Sequence, residues 1–470
     1  MEKRDKNLIK NTSILFIGNI CTKGIMFIMS PLFARWVSKP EYGDFELLMT
    51  YISLLVPLVT LETGEAVFRF LVGDDVEHDK SSVMTNAMVS NLVSMVITFV
   101  GLMIFLFFVP QYRDLLLPYF VMVTSEVLYN FGTKVARGFK KMHIYAIANI
   151  LYVFSMAITS VVLVKIMEGG LKGLIFSYSI GYLVSAGFLM VACKIYKYLR
   201  FTKIDWKVYV EMCKYSLPLL PNAISWWIVN VSDRTIVKFF LGASANATLA
   251  IANKLPNLCM QFFKQFSFSW QESVVENMNQ EDRDQFFSKV INKAFCLVGS
   301  MVVGLLGVNY FFFLIYPKSY MEAAKYSPIV LIAMPIYVVA QSLGVIYIGQ
   351  MKTGKNGTTT TISAVTNVVI NLALVHFIGL WAAVISTLVS YVVLMLIRLR
   401  DLKKTVKLSI YPQSYRILIE MIVFAAANYL LNNLIGHFIC LLCAVIVFIF
   451  ENYEYIPAVL KKVKSKLGIK

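Results

Sequence analysis

The sequence predicts an all-α polytopic membrane protein with about fourteen transmembrane helices. Three observations carry this prediction: hydrophobic types make up 58% of the 470 residues, charged residues only 15%, and the mean hydropathy is +0.69. A soluble domain carries about 25% charged residues. A chain this apolar would be unable to hide its surface in a single core, so water is excluded as the sole solvent of the folded protein.

Apolar runs recur along the whole chain, each near the roughly 20 residues that a helix needs to cross a bilayer. They must be helices because lipid offers no hydrogen-bond partner to an open backbone. The first run follows the charged stretch MEKRDKNLIK and has no small-residue cleavage site, so we interpret it as a retained helix rather than a signal peptide. The predicted spans are 12–34, 45–68, 84–109, 115–133, 144–164, 173–193, 215–240, 247–271, 294–315, 326–350, 358–377, 380–397, 417–433 and 436–450.

The 44 Lys and Arg residues, which give the chain a net charge of +17, divide unequally between the two sides of the membrane. Most lie in the loops on the side of the N-terminus. The loops on the other side hold Arg35, Lys39, Arg113, Lys165, Lys172, Lys318 and Lys325. The positive-inside rule therefore predicts that both termini are cytoplasmic. The excess charge is explained by this topology and by attraction to anionic lipid heads, so membrane lipids are expected partners and nucleic acid is not.

The sequence gives no sign of an enzyme, a cofactor or a metal site. The longest loop, near 194–214, is too short for a soluble catalytic domain. The seven Cys lack metal-ligand spacing and lie in or beside apolar runs. The segment 349–356 nearly matches a P-loop, but Asn356 stands where Ser or Thr must reach Mg²⁺ and a membrane helix precedes it. We therefore expect transport energy to come from ions, membrane potential or the substrate gradient.

An internal repeat is indicated by segments 170–182 and 379–391, in which Gly, Leu, Ser and Tyr coincide at an offset of 209. Asn149 and Asn367 open the fifth and eleventh predicted spans at a similar offset. The repeat predicts two six-helix lobes at 1–200 and 201–400, related by an axis along the membrane normal. Residues 401–470 add two C-terminal helices and a basic cytoplasmic tail.

Polar residues form stripes within the predicted spans. Charge buried in lipid costs a few kcal/mol per residue, so such residues usually face a hydrated cavity or another helix. Glu62, Glu65 and Arg69 fall at i, i+3 and i+7 on one helix face. The candidates for binding an anionic group such as phosphate are Lys23, Arg69, Arg137, Arg234, Lys238 and Lys254. The candidates for carrying a proton or acting as counter-ions are Glu62, Glu65, Glu126 and Asp233.

The alternative interpretation of these stripes is structural, because Asn and Gln bond across helices and Lys extends to the membrane surface. That interpretation applies best to Asn253, Asn257, Asn367 and Asn371. Asp233 and Arg234 are neighbours in sequence, so their side chains diverge by about 100° and do not easily pair with each other.

Four stretches carry loose motifs in a particular order and spacing. They are Asn11-Thr12 to Glu41-Tyr42-Gly43 and Glu46, Val67-Phe68-Arg69-Phe70, Ser232-Asp233-Arg234 to Ala252-Asn253-Lys254-Leu255, and Asn367 to Ala383. Together they resemble Wzx-type polysaccharide flippases of the multidrug/oligosaccharidyl-lipid/polysaccharide exporter superfamily. One stretch departs from the family pattern: 245–250 reads Ala-Asn-Ala-Thr-Leu-Ala where Tyr is usual.

The resemblance implies a flippase in the bacterial cytoplasmic membrane with a cationic central cavity that opens alternately to each side. Its substrate would be an undecaprenyl-diphosphate-linked oligosaccharide, moved from the inner to the outer leaflet. Carried onto this sequence, the matching cavity positions are Lys23, Arg69, Arg234 and Lys254. Aromatic side chains could stack on sugar faces, namely Trp226, Trp227, Tyr129 and Trp270. We expect a monomer that works beside the polysaccharide polymerase machinery.

Four other functions make different demands on the sequence. A cation-coupled exporter of small molecules would favour a net acidic cavity, whereas the deep residues here are at least as basic as acidic. A lipid II-type flippase has the same charge requirements and is not separated by sequence. A membrane polysaccharide polymerase would need a sizeable outer loop, which the sequence lacks. A purely structural scaffold would leave the charged stripes unexplained.

Overall fold

The computed structural model describes residues 22–72, 79–108, 110–200, 202 and 204–453. Side chains are described for the same residues except 105, 106, 111, 112, 221–223, 225–230, 262, 265, 268 and 353. The charged N-terminal stretch and the basic C-terminal residues lie outside this part of the chain. Two compact units divide the chain, residues 1–231 and residues 232–470.

The first unit is helical throughout its described segments. After a helix at 22–36, called α1, come α2 (Lys39–Thr60), α3 (Thr63–Val72), α4 (Lys80–Phe108), α5 (Leu116–Gly138), α6 (Met142–Ser160), α7 (Gly170–Ala192) and α8 (Trp206–Ser216). A π-helical turn at Val161–Ile166 extends α6, and short 3₁₀ turns occur at Pro110–Leu115, Ile195–Lys197 and Leu217–Leu219. Helix α9 (Leu220–Leu241) contains the boundary between the two units.

The second unit continues from α9 with α10 (Ala243–Ala252), α11 (Lys254–Asn277), α12 (Arg283–Leu314), α13 (Ala323–Gly349), α14 (Thr353–Ile378), α15 (Trp381–Leu402), α16 (Pro412–Leu430) and α17 (Leu434–Asn452). A 3₁₀ turn at Lys318–Tyr320 precedes α13. The described part of the chain contains no strand, so the all-α prediction is confirmed.

Within the described residues, ten helices are long and apolar enough to cross a membrane. They are Lys39–Thr60, Lys80–Ile104, Arg113–Gly138, Met142–Ile166, Gly170–Ala192, Arg283–Leu314, Ala323–Gly349, Gly354–Ile378, Trp381–Leu402 and Leu434–Asn452. The four other predicted spans coincide with α1, α9, α10–α11 and α16, which are helical without being among the ten. The protein is a multi-pass membrane protein, and the count of fourteen spans stays a prediction.

The start of α2 is defined by a capping box that also engages a second helix. The Ser38 hydroxyl accepts a hydrogen bond from the Glu41 backbone N–H, and a Glu41 carboxylate oxygen accepts one of 3.0 Å from the Ser38 N–H. The other oxygen of Glu41 accepts a bond of 3.1 Å from the backbone N–H of Leu171, in the first turn of α7. A carboxylate is favoured at both places because helix N-termini present unpaired N–H groups. Glu41 therefore joins the N-termini of α2 and α7.

Each unit has its own apolar core. In the first unit, residues such as Val67, Met84 and Phe131 bring α3, α4 and α5 together with α7 and α8. In the second, Trp270, Phe287 and Leu343 do the same for α11, α12 and α13. Large apolar side chains on the outer faces of the spans stay exposed, including Ile97, Phe107, Ile158, Ile435 and Ile446. In a membrane protein such faces are covered by lipid.

The predicted repeat has a backbone counterpart. Gly170 and Gly379, the matched glycines at the start of the two segments, both adopt a positive φ, of 51° and 57° respectively. Gly170 is the first residue of α7, and Gly379 lies two residues before α15. Residues other than glycine rarely adopt this conformation. The matched tyrosines also have similar neighbours: Tyr182 stacks on Tyr152 at 4.5 Å between ring centroids, and Tyr391 lies 4.8 Å from Tyr337. The repeat of two six-helix lobes stays a prediction.

Candidate functional site

The second predicted span is broken in the structure, which corrects the expectation of one continuous helix over 45–68. Leu61 and Glu62 both adopt the left-handed conformation, with φ of 51° and 54°, between the end of α2 and the start of α3. The Glu62 N–H reaches back to the Pro57 carbonyl at 3.1 Å, and the Glu65 N–H bonds to the Glu62 carbonyl at 2.9 Å. Pro57 and Gly64 are the sequence signals that could have indicated the break.

Basic and acidic candidates meet where α3 packs against α5. Lys134 Nζ forms an ion pair with Glu65 Oε1, and both side chains are half-buried. The Arg137 guanidinium covers the ring of Phe68, 4.7 Å from its centroid. Arg69, the next residue along α3, is exposed. Neither arginine forms an ion pair within the described part of the chain. Of the predicted anion-binding residues, the structure therefore brings Arg69 and Arg137 to the same end of two packed helices.

Glu126 lies elsewhere on α5, among tyrosines. The Tyr182 hydroxyl and the Asn130 side chain interact with its carboxyl group. The rings of Tyr129, Tyr152 and Tyr182 form a cluster, with Tyr129 tilted at 5.5 Å and 5.4 Å from the other two. The Tyr129 hydroxyl, a predicted sugar-stacking position, hydrogen bonds to the side-chain oxygen of Asn149. Oε2 of Glu126 is buried with no hydrogen-bond partner in the structure.

Asp233 on α9 is held by three polar side chains of α14 and α15. Its Oδ1 accepts a hydrogen bond of 2.7 Å from the Asn371 amide. Its Oδ2 accepts bonds of 2.8 Å from the Thr387 hydroxyl and 3.4 Å from the Asn367 amide. The expected structural role of Asn367 and Asn371, bonding across helices, agrees with these contacts. The carboxylate of Asp233 is directed at α14 and α15, so neutral donors hold it within the second unit.

The other predicted anion-binding residues lie on three different helices. Lys23 is exposed on the helix at 22–36 in the first unit. Arg234 and Lys238 are partly buried, four residues apart on α9, and Lys254 is partly buried at the start of α11. Residues at i and i+4 share a helix face, so Arg234 and Lys238 form a short basic stripe in the second unit.

The aromatic candidates separate into different environments. The side chains of Trp226 and Trp227, on α9, lie outside the described residues. Trp270 is 2% exposed, donates its ring N–H to the Ser342 carbonyl at 3.0 Å, and packs edge-on against Phe287. A sugar face has no access to a ring enclosed in this way. We therefore assign Trp270 a packing role in place of the predicted stacking role.

Arg398 is a buried polar residue that the sequence did not single out, because it falls just beyond the predicted span 380–397. It lies inside α15 and is 0% exposed. Its guanidinium donates hydrogen bonds to the Ala340 carbonyl at 2.6 Å, to Oδ1 of Asn356 at 2.6 Å, and to the hydroxyls of Thr359 and Thr360 at 3.0 and 2.9 Å. Asn356, which breaks the P-loop pattern, thus has a structural partner.

A family model described as Polysaccharide biosynthesis protein matches residues 8–269 of the chain, more than half of its length. The chain belongs to the polysaccharide biosynthesis protein family. This confirms the family predicted from the sequence motifs, which lie partly within the matched region. The comparison with curated protein sequences found no match.

Solved structures of transporters share the fold of this member of the polysaccharide biosynthesis protein family. The lipid II flippase MurJ in an inward closed conformation matches with a TM-score of 0.71 and 15% identity over 95% of this chain and 99% of that chain. An inward-facing multidrug resistance transporter of the MATE family, in the MOP superfamily, matches with a TM-score of 0.62 and 16% identity, over 84% and 99% of the two chains. The Vibrio cholerae MATE transporter VcmN in its bent form gives 0.53 and 10%, over 89% and 98%.

These similarities agree with the prediction of a transporter rather than an enzyme, because the proteins that share this fold are flippases and transporters. Within the described residues no group of three or more His, Cys, Asp and Glu side chains is arranged to hold a metal ion.

Proposed function

We propose that the protein moves undecaprenyl-diphosphate-linked oligosaccharide repeat units from the inner to the outer leaflet of the bacterial cytoplasmic membrane by alternating access. The observation that carries the proposal is membership of the polysaccharide biosynthesis protein family in a chain with the fold of flippases. The substrate class follows from the name of the family together with the charge on the membrane helices. The distribution of Lys and Arg supports the proposed orientation, with both termini in the cytoplasm.

A diphosphate carries at least two negative charges, and its passage through an apolar layer needs positive partners. Arg69 and Arg137 are suited to this role because each keeps its guanidinium out of ion pairs within the described residues. Their fork of N–H donors matches the oxygens of a phosphate. We propose that Lys23, Arg69 and Arg137 in the first unit each attract the diphosphate, and that Arg234, Lys238 and Lys254 do so in the second unit.

The four acidic candidates have different roles in this proposal. Glu65 is a counter-ion, because it is already paired with Lys134. Glu62 lies next to the same pair at the break between α2 and α3 and interacts with both of its members. Asp233 has its negative charge satisfied by neutral hydrogen-bond donors. Glu126 has neither arrangement.

A lipid II-type flippase is the second candidate, and a specific observation favours it: MurJ, a lipid II flippase, shares the fold with a TM-score of 0.71. Both candidate substrates carry a polyprenyl diphosphate, so the basic residues would act in the same way on either. The two differ in the saccharide, which is the part that mass spectrometry identifies directly.

The deciding experiment is lipid extraction from a strain that lacks this gene, followed by mass spectrometry of the polyprenyl-diphosphate saccharides. We expect a complete oligosaccharide repeat unit to accumulate on its lipid carrier and to disappear when the wild-type gene is restored. Accumulation of a lipid-linked peptidoglycan precursor instead would assign the protein to lipid II. If neither species accumulates, the flippase proposal fails and an exporter of small molecules becomes the better candidate.

Substitution of Arg234 by Ala tests whether the cations act on the diphosphate. We expect this variant to reach the membrane but not to reverse the accumulation. Arg400→Ala is the matched control, because Arg400 is an exposed arginine of the same unit that forms no ion pair within the described residues. Full activity of the Arg234→Ala variant would remove this residue from the binding site.

A further inference from the structure

Glu126 stands at the middle of a membrane span. The candidate span Arg113–Gly138 has its midpoint beside this residue, and Glu126 lies about 18 Å along the helix from the Gly138 end. A charged side chain at such a depth costs a few kcal/mol unless something neutralises it. The surroundings of the carboxyl group therefore decide whether it can stay ionised.

No basic side chain neutralises Glu126 within the described residues. Two ion pairs of this unit involve other residues: Glu65 pairs with Lys134, and Lys172 pairs with Asp114 at 3.6 Å. Lys134 is on the same helix as Glu126 but two turns away, about 12 Å along the axis. A buried carboxylate usually has a cation, a metal or several donors as partners, and here one oxygen has none of them.

Within the described residues, the side chains that interact with Glu126 carry hydroxyl or amide groups. Its own helix contributes Tyr119, Tyr129 and Asn130, and the helices packed against it contribute Tyr152 from α6 and Tyr182 from α7. One shell further out, Tyr51 interacts with Tyr119, and Glu46 interacts with Tyr178. Both Tyr51 and Glu46 come from α2.

The other elements packed on α5 bring their charges to its two ends. Glu65 of α3 meets Lys134, and Lys80 of α4 lies over the ring of Phe139 at 5.8 Å. The 3₁₀ turn before α5 carries Arg113 and Asp114 at the opposite end. None of these charged groups interacts with the carboxyl group of Glu126. The middle of the helix is therefore lined by aromatic rings and neutral polar groups.

We propose that Glu126 is the proton-carrying carboxyl of this transporter, and that it is a neutral carboxylic acid while enclosed by the tyrosine cluster. The inference rests on the proposed transport function and names the residue that couples it to protons. The step is a simple exchange: a proton from one side of the membrane binds the carboxylate, and the same O–H bond releases it to the other side. Protonation removes the unpaired charge from the buried oxygen, and no further reactant is needed.

The surroundings also provide for release of the proton. Glu126 is partly exposed as a residue although its Oε2 is buried, so water can reach the group when the helices move. The Tyr182 hydroxyl and the Asn130 amide can then donate hydrogen bonds to the ionised form. Tyr182 is fixed by its stack on Tyr152, whose ring is parallel to within 4°. The surroundings of Glu126 are thus of low polarity while its carboxyl group is neutral. They also supply two hydrogen-bond donors when the group is ionised.

Infrared difference spectroscopy tests the assignment on the purified full-length protein, because protonated carboxyl groups have a carbonyl stretch of their own. Spectra are compared between about pH 5 and about pH 9. We expect a pH-dependent carboxylic-acid band in the wild type that Glu126→Gln removes and Glu65→Gln keeps. Glu126→Asp is a second variant for the case in which the Gln variant does not fold, and it should keep the band at a shifted frequency.

The outcomes are separable from the proposed function because the spectra are taken without substrate. A band that survives Glu126→Gln, or a wild-type protein without a pH-dependent band, overturns the proton assignment while leaving the lipid experiment unaffected. If lipid accumulation shows no flippase activity but the band depends on Glu126, the proton site stands in a transporter of another substrate. Retention of pH-dependent transport in Glu126→Gln would also contradict the inference.

Discussion

Asn371 donates a hydrogen bond of 2.7 Å from its side-chain amide to Oδ1 of Asp233, although the two residues are 138 positions apart in the sequence. The other oxygen of Asp233 accepts a bond of 2.8 Å from the Thr387 hydroxyl. Both oxygens of this carboxylate therefore have donors from two further helices of the same unit. Hydrogen bonds to an ionised acceptor are stronger than neutral ones. This contact consequently contributes to the packing of α9 against α14 and α15.

Asp233→Asn should destabilise the second unit. The new amide presents a donor where the carboxylate presented an acceptor, so one of the donors from Asn371 and Thr387 loses its partner. Such a loss costs about 1–3 kcal/mol. The measurement is the unfolding temperature of the purified protein in detergent. Asp114→Asn is the control, because Asp114 is 84% exposed in its pair with Lys172 and should change the temperature little. Equal effects of the two variants would contradict the prediction.

Arg398 should be among the most sensitive positions for stability. Its guanidinium is fully buried and bonded to backbone and side-chain oxygens of α13 and α14. Arg398→Met would leave these acceptors without a donor, at a cost of about 3 kcal/mol or more. The same unfolding measurement checks this, with the exposed Arg400→Ala as control.

Gly344→Ala tests the same contact from the other side. An added Cβ would lie 2.6 Å from Nη1 of Arg398 and 2.8 Å from Oδ1 of Asn356, closer than real contacts allow. We expect a drop in unfolding temperature in the same direction as for Arg398→Met. Because both substitutions damage one contact, the double variant should be less destabilised than the two single effects added together. Full additivity would show that Gly344 acts independently of Arg398.

The sequence predicted the helical architecture and the family because apolar length and motif order are local signals. The same is true of the structural role of Asn367 and Asn371, since a buried amide in a membrane span needs a partner. Which partner it finds was not predictable, because Asp233 is contributed by a helix more than 130 residues away.

Three features of the structure differ from the sequence predictions, each for a physical reason. Leu61 and Glu62 are residue types that helices accept, so they do not indicate a helix break. The break is stabilised by backbone hydrogen bonds, which leave no signature in the sequence. Pro57 and Gly64 are therefore the weak sequence signals for it. Arg398 falls just beyond the predicted span 380–397, whereas α15 continues to Leu402 and polar side chains of α14 surround the guanidinium. Trp270 was suggested for sugar stacking by residue type alone, and its burial follows from tertiary packing.

Leu61→Gly should stabilise the protein even though it removes an apolar side chain. The left-handed conformation costs about 1 kcal/mol for a residue with a Cβ and little for glycine. Ser53→Gly is the matched control, because Ser53 is an exposed residue inside α2, where glycine costs roughly 0.5–1 kcal/mol. We expect the unfolding temperature to rise for the first variant and to fall for the second. A fall for both would mean that the packing of Leu61 outweighs its backbone strain.

The ion pair between Glu65 and Lys134 should show energetic coupling in a double-mutant cycle. The two half-buried groups belong to α3 and α5, and neutralising either leaves the other unpaired in a region of low polarity. Glu65→Gln and Lys134→Met should each destabilise the protein, and the double variant should be less affected than their sum by about 1 kcal/mol. Independent effects in the cycle would indicate that the pair is solvated and makes no contribution.

Arg137 provides a test that separates substrate binding from stability. Its guanidinium lies over Phe68 and forms no ion pair within the described residues, so Arg137→Gln removes a cation–π contact of about 0.5–1 kcal/mol and a charge that the diphosphate would use. Phe68→Leu removes the same contact and keeps the charge. Both variants should therefore lower the unfolding temperature slightly and to a similar extent. Only Arg137→Gln should lose transport, by about tenfold, because one charge-assisted hydrogen bond is worth about 1.5 kcal/mol or more. Transport by each variant is measured as restored turnover of lipid-linked saccharide in the deletion strain. Equal transport losses in the two variants would show that Arg137 acts in the packing of α3 on α5 and not in the binding site.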